Sequence, residues 1–192
     1  MRVTAFNGSP NKKGNTYKLL SIVLAELENE GIDTELIQLA PLGIKPCTAC
    51  FRCADAKDNG CHGVKDDTLN ELMEKMLESD GIIIGSPTWF GNVSGHVKNL
   101  IDRAGLVSRV NGINLDRKVG AAVTAVRRAG GVQTMQAINN FFQINGMIMP
   151  GGFYWPMGYS GTSGNSTDDE EGVKTMERLG RNMAWLLRKI GE

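Results

Sequence analysis

The stretch VTAFNGSPNKKGNT, residues 3–16, joins the pattern of a short buried strand to the start of an amphipathic helix. Residues 3–7 are a mostly apolar run that predicts a strand, and apolar residues at helical spacing predict a helix from about Asn15 to Gly31. In an open α/β sheet, ligands bind beyond the carboxyl ends of the strands. The stretch therefore predicts the first β/α unit and places a glycine-containing loop where a ligand would bind.

The same alternation of short apolar runs and helical periodicity continues along the 192 residues. It is typical of a parallel sheet covered by helices on both faces. Further strands are predicted at residues 34–39, 81–85, 118–125 and from about Met147, and further helices after Asp67, Asn92, Gly131 and about Asp168. Five such units predict an α/β fold of three layers, α/β/α, with a doubly wound parallel sheet in the flavodoxin-like order 2-1-3-4-5.

Composition sets limits on the classes of function. The length suits one domain, residues 1–192, with a cysteine-rich insertion at about residues 41–65. Lysine plus arginine and aspartate plus glutamate both number 21, so no nucleic acid or membrane partner is expected. Neither an apolar run of membrane-spanning length nor a signal-peptide pattern is present, which gives the cytoplasm as the expected location.

The loop of residues 8–16 has the chemistry of a phosphate site. The free N–H groups and the dipole at the start of a helix favour an anion, and hydroxyl and amide side chains add donors. The residues predicted to contribute are Ser9, Gly14, Asn15 and Thr16. The patterns of triphosphate and dinucleotide loops are absent, so a monophosphate is favoured. An ordinary capped turn is the plainer alternative.

A second loop, SPTWFGNVSG at residues 86–95, follows the third predicted strand on the same sheet edge. A flavin ring needs backbone hydrogen-bonding groups for its pyrimidine edge and apolar or aromatic walls. We predict that Trp89 and Phe90 supply the walls and that Thr88, Gly91 and Asn92 supply polar and backbone contacts. Both aromatics could instead belong to the core, although adjacent side chains of an extended segment face opposite ways.

The end of the fourth strand carries two arginines and a glycine pair. A cation here could stabilise negative charge on a reduced flavin, and Arg128, with Gly130 and Gly131, is assigned to the cofactor site. The sequence does not decide between Arg127 and Arg128, and a solvated arginine pair is the alternative. The glycine- and aromatic-rich residues 150–167 predict either a lid over the ligand or a contact between subunits.

Four cysteines follow the second strand with the spacing C-x2-C-x2-C-x7-C. Three thiolates two residues apart can surround one [4Fe–4S] cluster, and the fourth arrives from further along the chain. Cys47, Cys50, Cys53 and Cys61 are therefore candidate cluster ligands. A zinc site more often uses two separated pairs, and zinc, free thiols and disulfides all remain open alternatives.

Together, the runs GSPNKKGNT and SPTWFGNVSG and the glycine pair resemble the NADPH-dependent FMN reductase family. The resemblance implies a flavodoxin-like fold that binds FMN non-covalently in homodimers or homotetramers. It also implies that Asn11, together with Ser9, Gly14, Asn15 and Thr16, holds the FMN phosphate. It further implies that Pro87 and the residues up to Asn92 hold the isoalloxazine ring. The cysteine spacing is similar to that of the iron-sulfur flavoprotein branch, which implies a [4Fe–4S] cluster on the four thiols.

The expected function is that of an FMN-dependent oxidoreductase or electron-transfer flavoprotein whose cluster links FMN to a one-electron partner such as ferredoxin. One alternative is a cluster-free reductase of FMN, quinones, or nitro or azo compounds that takes NAD(P)H as substrate. Another is a flavodoxin-type carrier without turnover of its own. Since no Ser-His-Asp set, paired acids or HExxH motif is evident, no side-chain catalyst is predicted.

Overall fold

The central sheet contains five parallel strands in the order β2-β1-β3-β4-β5. The computed structural model describes residues 1–191, and it confirms the predicted strand order and fold class. The strands are β1 (Arg2–Asn7), β2 (Asp33–Gln38), β3 (Gly81–Pro87), β4 (Val119–Val126) and β5 (Met157–Tyr159). β1, β3 and β4 are almost entirely buried, as expected of central strands that are covered on both faces.

Helices cover both faces of the sheet. They are α1 (Asn15–Asn29), α2 (Arg52–Ala56), α3 (Leu69–Glu78), α4 (Gly95–Val110), α5 (Gly131–Ile144) and α6 (Glu170–Gly191). Apolar residues of α3, α4 and α5 form the core on one face, while those of α1 and α6 form the core on the other. Within residues 1–191, none of the helices has both the length and the apolar character needed to cross a membrane.

The position of the fifth strand differs from the prediction. The sequence places it from Met147, but the chain touches β4 there only at Ile148, which bridges to Val119. It then leaves the sheet and returns at Met157–Tyr159, within the predicted loop of residues 150–167. Proline cannot donate to a strand ladder, and Pro150 directly follows the apolar run. The prediction was therefore wrong by about ten residues.

The cysteine-rich segment contains two short helices that its composition does not reveal. A 3-10 helix spans Ala40–Leu42 and α2 spans Arg52–Ala56, with left-handed residues, Phe51 and Lys57, at both ends of α2. Ala49 and Asn59 also have positive φ angles, of 51° and 65°. Because such angles are uncommon for residues other than glycine, this segment turns sharply several times within a few residues.

Candidate functional site

The loops that follow β1, β3 and β4 line a single cleft of about 250 Å³ at the carboxyl edge of the sheet. The structure thus brings together much of the predicted first loop and the start of the second. The lining residues are Ser9, Asn11, Gly14, Asn15, Thr16, Pro87, Thr88, Trp89, Ala125, Val126, Arg127 and Ser160. Among these described residues, Arg127 contributes the charged side chain, so the cleft favours an anionic ligand.

The beginning of α1 faces this cleft without a side-chain cap. Gly14 is the N-cap residue and provides no side-chain hydrogen bond to the helix. The N–H groups of the first helical turn have no partners inside the helix, and they coincide with the positive end of its dipole. Thr16 lies in this turn, lines the cleft and packs its methyl group over Gly85. This end of α1 has the properties of an anion site.

Hydrogen bonds within the first loop fix its backbone. The N–H of Ser9 donates to the side chain of Asn7 (3.0 Å), and the N–H of Asn11 donates to Ser9 Oγ (3.2 Å). The side chain of Gln38 donates to the Ser9 carbonyl. Since these bonds tie the loop to the ends of β1 and β2, its shape is set before a ligand binds.

Gly8, beside the cleft, lies where there is no room for a side chain. A Cβ atom at Gly8 would lie 2.1 Å from Val97 Cγ2 and 2.9 Å from the Gly85 carbonyl oxygen. The Gly8 N–H donates to that same carbonyl (2.8 Å). Gly8 therefore allows β1 to pass closely against β3 and α4.

The Asn15 amide holds two loops together. Its Nδ2 donates to the Gly164 carbonyl (3.0 Å), and its Oδ1 accepts from the Ser166 N–H (3.1 Å). Although Asn15 was predicted to contact the phosphate and does line the cleft, its amide is already engaged by the segment before α6. A ligand would meet mainly its backbone.

The second loop makes a tight turn that points one aromatic outward. Backbone hydrogen bonds join Trp89 and Asn92 in both directions (2.9 and 3.0 Å), and Phe90 and Gly91 occupy left-handed conformations, with φ of 51° and 72°. Phe90 is fully exposed at the tip, outside the cleft lining, whereas Trp89 is half-exposed and lines the cleft. Gly91 and Asn92 also lie outside the lining.

Thr88 is half-buried, lines the cleft and carries a buried hydroxyl. Its N–H donates to the Ala125 carbonyl (2.9 Å), which extends the contact between β3 and β4. Its Oγ1 is buried and has no hydrogen-bond partner among the described residues. An unpaired buried hydroxyl costs free energy, so Thr88 is suited to a ligand that supplies the missing partner.

The third loop places Arg127, rather than the assigned Arg128, on the cleft wall. Arg128 lies in an adjoining hollow that Arg127 also lines. Gly130 and Gly131 serve close packing: a Cβ atom at Gly130 (φ 87°) would lie 2.9 Å from the Cα of Gly91. Gly130 thus brings the second and third loops into contact, whereas a Cβ atom at Gly131 would lie 2.6 Å from Val126 Cγ2 and 2.9 Å from Met157 Sδ. Neither glycine lines the cleft.

Ala125, Val126 and Ser160 were missed by the sequence analysis. The first two continue β4 into the cleft, and the Ser160 N–H donates to the Val126 carbonyl (2.8 Å). Segment 150–167 therefore reaches the cleft edge at Ser160. Its aromatic residues Phe153, Tyr154 and Trp155 are exposed and do not line the cleft.

A second pocket gathers all four cysteines. It is also lined by residues of α4 and by Gly63; the complete set is Cys47, Thr48, Cys50, Phe51, Cys53, Cys61, Gly63, Val64, Arg103, Leu106 and Val107. The four thiols are free. A Cβ atom at Gly63 would lie only 2.0 Å from Cys50 Sγ, so Gly63 makes room for that thiol.

The thiols of this pocket differ in acidity. Hydrogen bonds from the Arg52 backbone and then the Thr48 side chain lower the pKa of Cys50, which is exposed. Burial raises the pKa of Cys53, and the neighbouring charge of Cys61 raises it further. Within residues 1–191, no three cysteine, histidine or carboxylate side chains are close enough to hold a single metal ion.

The four predicted ligands share one pocket, and their assignment to a cluster remains a prediction.

Comparison with known proteins finds similar sequences along most of the chain. The family model of NADPH-dependent FMN reductases matches residues 1–162. An iron-sulfur flavoprotein of Methanocaldococcus jannaschii is 39% identical, and the match covers 99% of each chain. An iron-sulfur flavoprotein of Methanosarcina thermophila is 34% identical over 93% of this chain and 95% of that protein.

A solved structure supports the fold alone. The flavodoxin, WrbA-like protein of Agrobacterium tumefaciens superposes with a TM-score of 0.68 at 15% identity, and the match covers 98% of each chain. The predicted resemblance, in both sequence and fold, is confirmed.

Proposed function

This chain belongs to the NADPH-dependent FMN reductase family, and from that membership we propose that it is an FMN-dependent electron-transfer oxidoreductase that also carries a [4Fe–4S] cluster. The observation that carries the proposal is the convergence of the loops after β1, β3 and β4 on one cleft. The cluster is supported by the four thiols that share one pocket and by the names of the two relatives. In this proposal, electrons pass between FMN and a one-electron partner such as ferredoxin.

The residues of the cleft suit the two ends of FMN. The uncapped start of α1 and the side chain of Thr16 would hold the phosphate. Thr88 Oγ1, which has no partner among the described residues, would hydrogen-bond the ligand, and Trp89 would provide an aromatic wall. The Arg127 guanidinium would stabilise negative charge on the ring.

The cysteine pocket suits a cluster by its donor set. Cys47, Cys50, Cys53 and Cys61 would be the ligands. Cys53 is held by α2, and Cys61 is anchored to α3 because its N–H donates to the Asn70 side chain (2.7 Å). Two of the four ligands are thus positioned by helices, and the sharply turned loop carries the others.

When bound, FMN exchanges electrons as a hydride or singly, and a [4Fe–4S] cluster exchanges one at a time. The chain's own contribution is binding, orientation and electrostatics. The tight turn at Trp89 and Asn92 fixes the aromatic wall, and the contact of Gly130 with Gly91 keeps the second and third loops together. Arg127 then lies on the wall nearest the end of β4.

Anaerobic purification with separate measurements of flavin, iron and sulfide tests the proposal. We expect one FMN per chain, four iron and four sulfide per chain, and broad visible absorption beneath the flavin bands. Gly63→Ala places a Cβ atom against Cys50 Sγ and is expected to lower iron content while leaving FMN content unchanged. Gly151→Ala is the matched control, because a Cβ atom there has no described neighbour within 4 Å.

The family description favours a second candidate function, an NAD(P)H-dependent reductase without a cluster. This candidate predicts steady-state NAD(P)H oxidation with a quinone as acceptor and no iron or sulfide in the anaerobic protein. Reduction of the flavin by ferredoxin, but not by NAD(P)H, would exclude it. FMN without iron, sulfide or any turnover would instead indicate a simple electron carrier.

A further inference from the structure

Arg103 is a buried cation on the wall of the cysteine pocket. It belongs to α4, is 1% exposed and lines the pocket together with all four cysteines. A buried guanidinium is costly unless anions and hydrogen-bond acceptors surround it. The groups around Arg103 therefore show how its buried positive charge is stabilised.

One part of the guanidinium closes the cysteine-rich segment. Arg103 Nη1 donates to the Lys45 carbonyl (3.2 Å) and forms an ion pair with Asp67, whose side chain is 2% exposed. Asp67 in turn accepts from the N–H groups of Lys45 (3.0 Å) and Leu69 (3.3 Å). Since Lys45 precedes the first cysteine and Asp67 follows the last, this arrangement joins the two ends of the segment.

Another part of the guanidinium has no hydrogen-bond partner among the described residues. This part is Arg103 Nε, which is buried. Burial alone would lower the pKa of Arg103, but the hydrogen bond with the side chain of Asp67 raises it. The cation is therefore paired with the carboxylate that closes the segment and lines the same pocket as the four candidate ligands.

We propose that Arg103 is a positioning residue for the iron–sulfur cluster. Its ion pair with Asp67 closes the segment that carries the four cysteines. Its guanidinium also supplies a fixed positive charge and an N–H donor to the sulfur side of the pocket. This inference rests on the proposed cluster. Hydrogen bonds to the sulfurs and the net charge of the surroundings set the reduction potential of a cluster. Reduction adds one negative charge, so the nearby guanidinium stabilises the reduced form and raises the potential.

Asp67 provides a control, because removing its negative charge should shift the potential in the direction opposite to removing the positive charge of Arg103. Arg103→Gln removes the positive charge and is expected to shift the midpoint potential to more negative values. Asp67→Asn removes the negative charge, retains the shape of the side chain and is expected to shift the potential to more positive values. The double variant Asp67→Asn with Arg103→Gln restores the charge balance and is expected to lie between the two.

The test is a redox titration of the iron–sulfur signal by electron paramagnetic resonance, on full chains reconstituted anaerobically with ferrous iron and sulfide. Iron content and thermal midpoint are measured alongside it. Arg103→Lys, which keeps the charge, is expected to retain a potential near the wild-type value even if iron content falls. If Arg103→Gln does not fold, Asp67→Asn still tests the sign of the effect through its expected positive shift, and Arg103→Lys serves as the variant that keeps the charge.

Loss of iron or stability without opposite shifts in potential would overturn the inference and leave Arg103 with a purely structural role. Unchanged potentials in all variants would do the same. A wild-type chain that takes up no iron and sulfide would overturn the cluster proposal itself, and the inference with it. The iron and sulfide content of the wild-type chain therefore distinguishes failure of the cluster proposal from failure of the role proposed for Arg103.

Discussion

Replacement of Thr16 by valine tests the phosphate end of the cleft. Thr16 is 1% exposed, lies in the first turn of α1 and packs its methyl group over Gly85. Valine has nearly the same shape and keeps that methyl contact, but it loses the hydroxyl. We therefore expect a specific loss of FMN affinity with little change in the fold.

The magnitude follows from the charge of the phosphate. A hydrogen bond to a charged group contributes about 1.5–3 kcal/mol, and each factor of ten in affinity corresponds to about 1.4 kcal/mol. The Thr16→Val chain should therefore bind FMN roughly 10- to 150-fold more weakly than the wild type. Riboflavin lacks the phosphate, and its affinity should change little.

The assay is fluorescence titration of the flavin-free chain with FMN and, in parallel, with riboflavin. Thr175→Val is the matched control, because Thr175 is equally buried and its hydroxyl donates to the Glu171 carbonyl within α6 (2.7 Å). Unchanged FMN affinity in Thr16→Val would refute the assignment. An equal loss for FMN and riboflavin would also refute it, since the lost contact would then not involve the phosphate.

Three further predictions concern the loops and the thiols. Thr88→Val removes a buried hydroxyl that has no partner within residues 1–191, so it should weaken FMN binding without destabilising the flavin-free chain in urea; a less stable flavin-free chain would contradict this. Gly8→Ala should destabilise the chain by about 1–3 kcal/mol. In the double variant Gly8→Ala with Val97→Ala, part of this loss should be recovered, because the second change removes the Cγ2 atom that lies 2.1 Å from the new Cβ. If the double variant loses the sum of the two single losses in unfolding free energy, the clash is excluded. In the metal-free chain, Cys50 should be alkylated by iodoacetamide at lower pH than Cys53, because hydrogen bonding lowers the pKa of the first and burial raises that of the second; peptide mass spectrometry measures both, and identical pH profiles would contradict the assignment.

The positions of the loops that line the cleft were predictable from the geometry of a parallel sheet. A loop after a central parallel strand lies at the carboxyl edge, and the runs after β1 and β3 are recognisable from their glycines and hydroxyls. The short edge strand β5 was not predictable in the same way. It has three residues within a segment rich in glycine and aromatics, and its pairing with β4 is a tertiary contact with no periodic signal.

Side-chain directions at the cleft were harder to predict than loop positions. Phe90 and Trp89 are adjacent, but the left-handed conformation of Phe90 at the tip of a tight turn sends it outward. In the same way, Arg127 lines the cleft and Arg128 lies beside it. Sequence pattern gives the presence of a turn, whereas the direction of each side chain depends on backbone angles that several turn types could satisfy.

Helix α4 connects the cleft to the cysteine pocket. At its start, Ser94 donates to the Gly8 carbonyl (2.7 Å) and its N–H donates to Ser86 Oγ (2.9 Å), so this end is attached to the first and second loops. Nine residues further on, Arg103 contacts the cysteine segment, which is about 14 Å along the axis at 1.5 Å per residue. Because buried apolar residues such as Val97 and Leu100 hold this helix against the sheet, the spacing of the two sites depends on core packing. Of the residues that connect the cleft to the thiols, Ser94 belongs to the run SPTWFGNVSG, whereas Arg103 belongs to no recognisable binding motif. A substitution in the buried face of α4 is expected to disturb both sites at once.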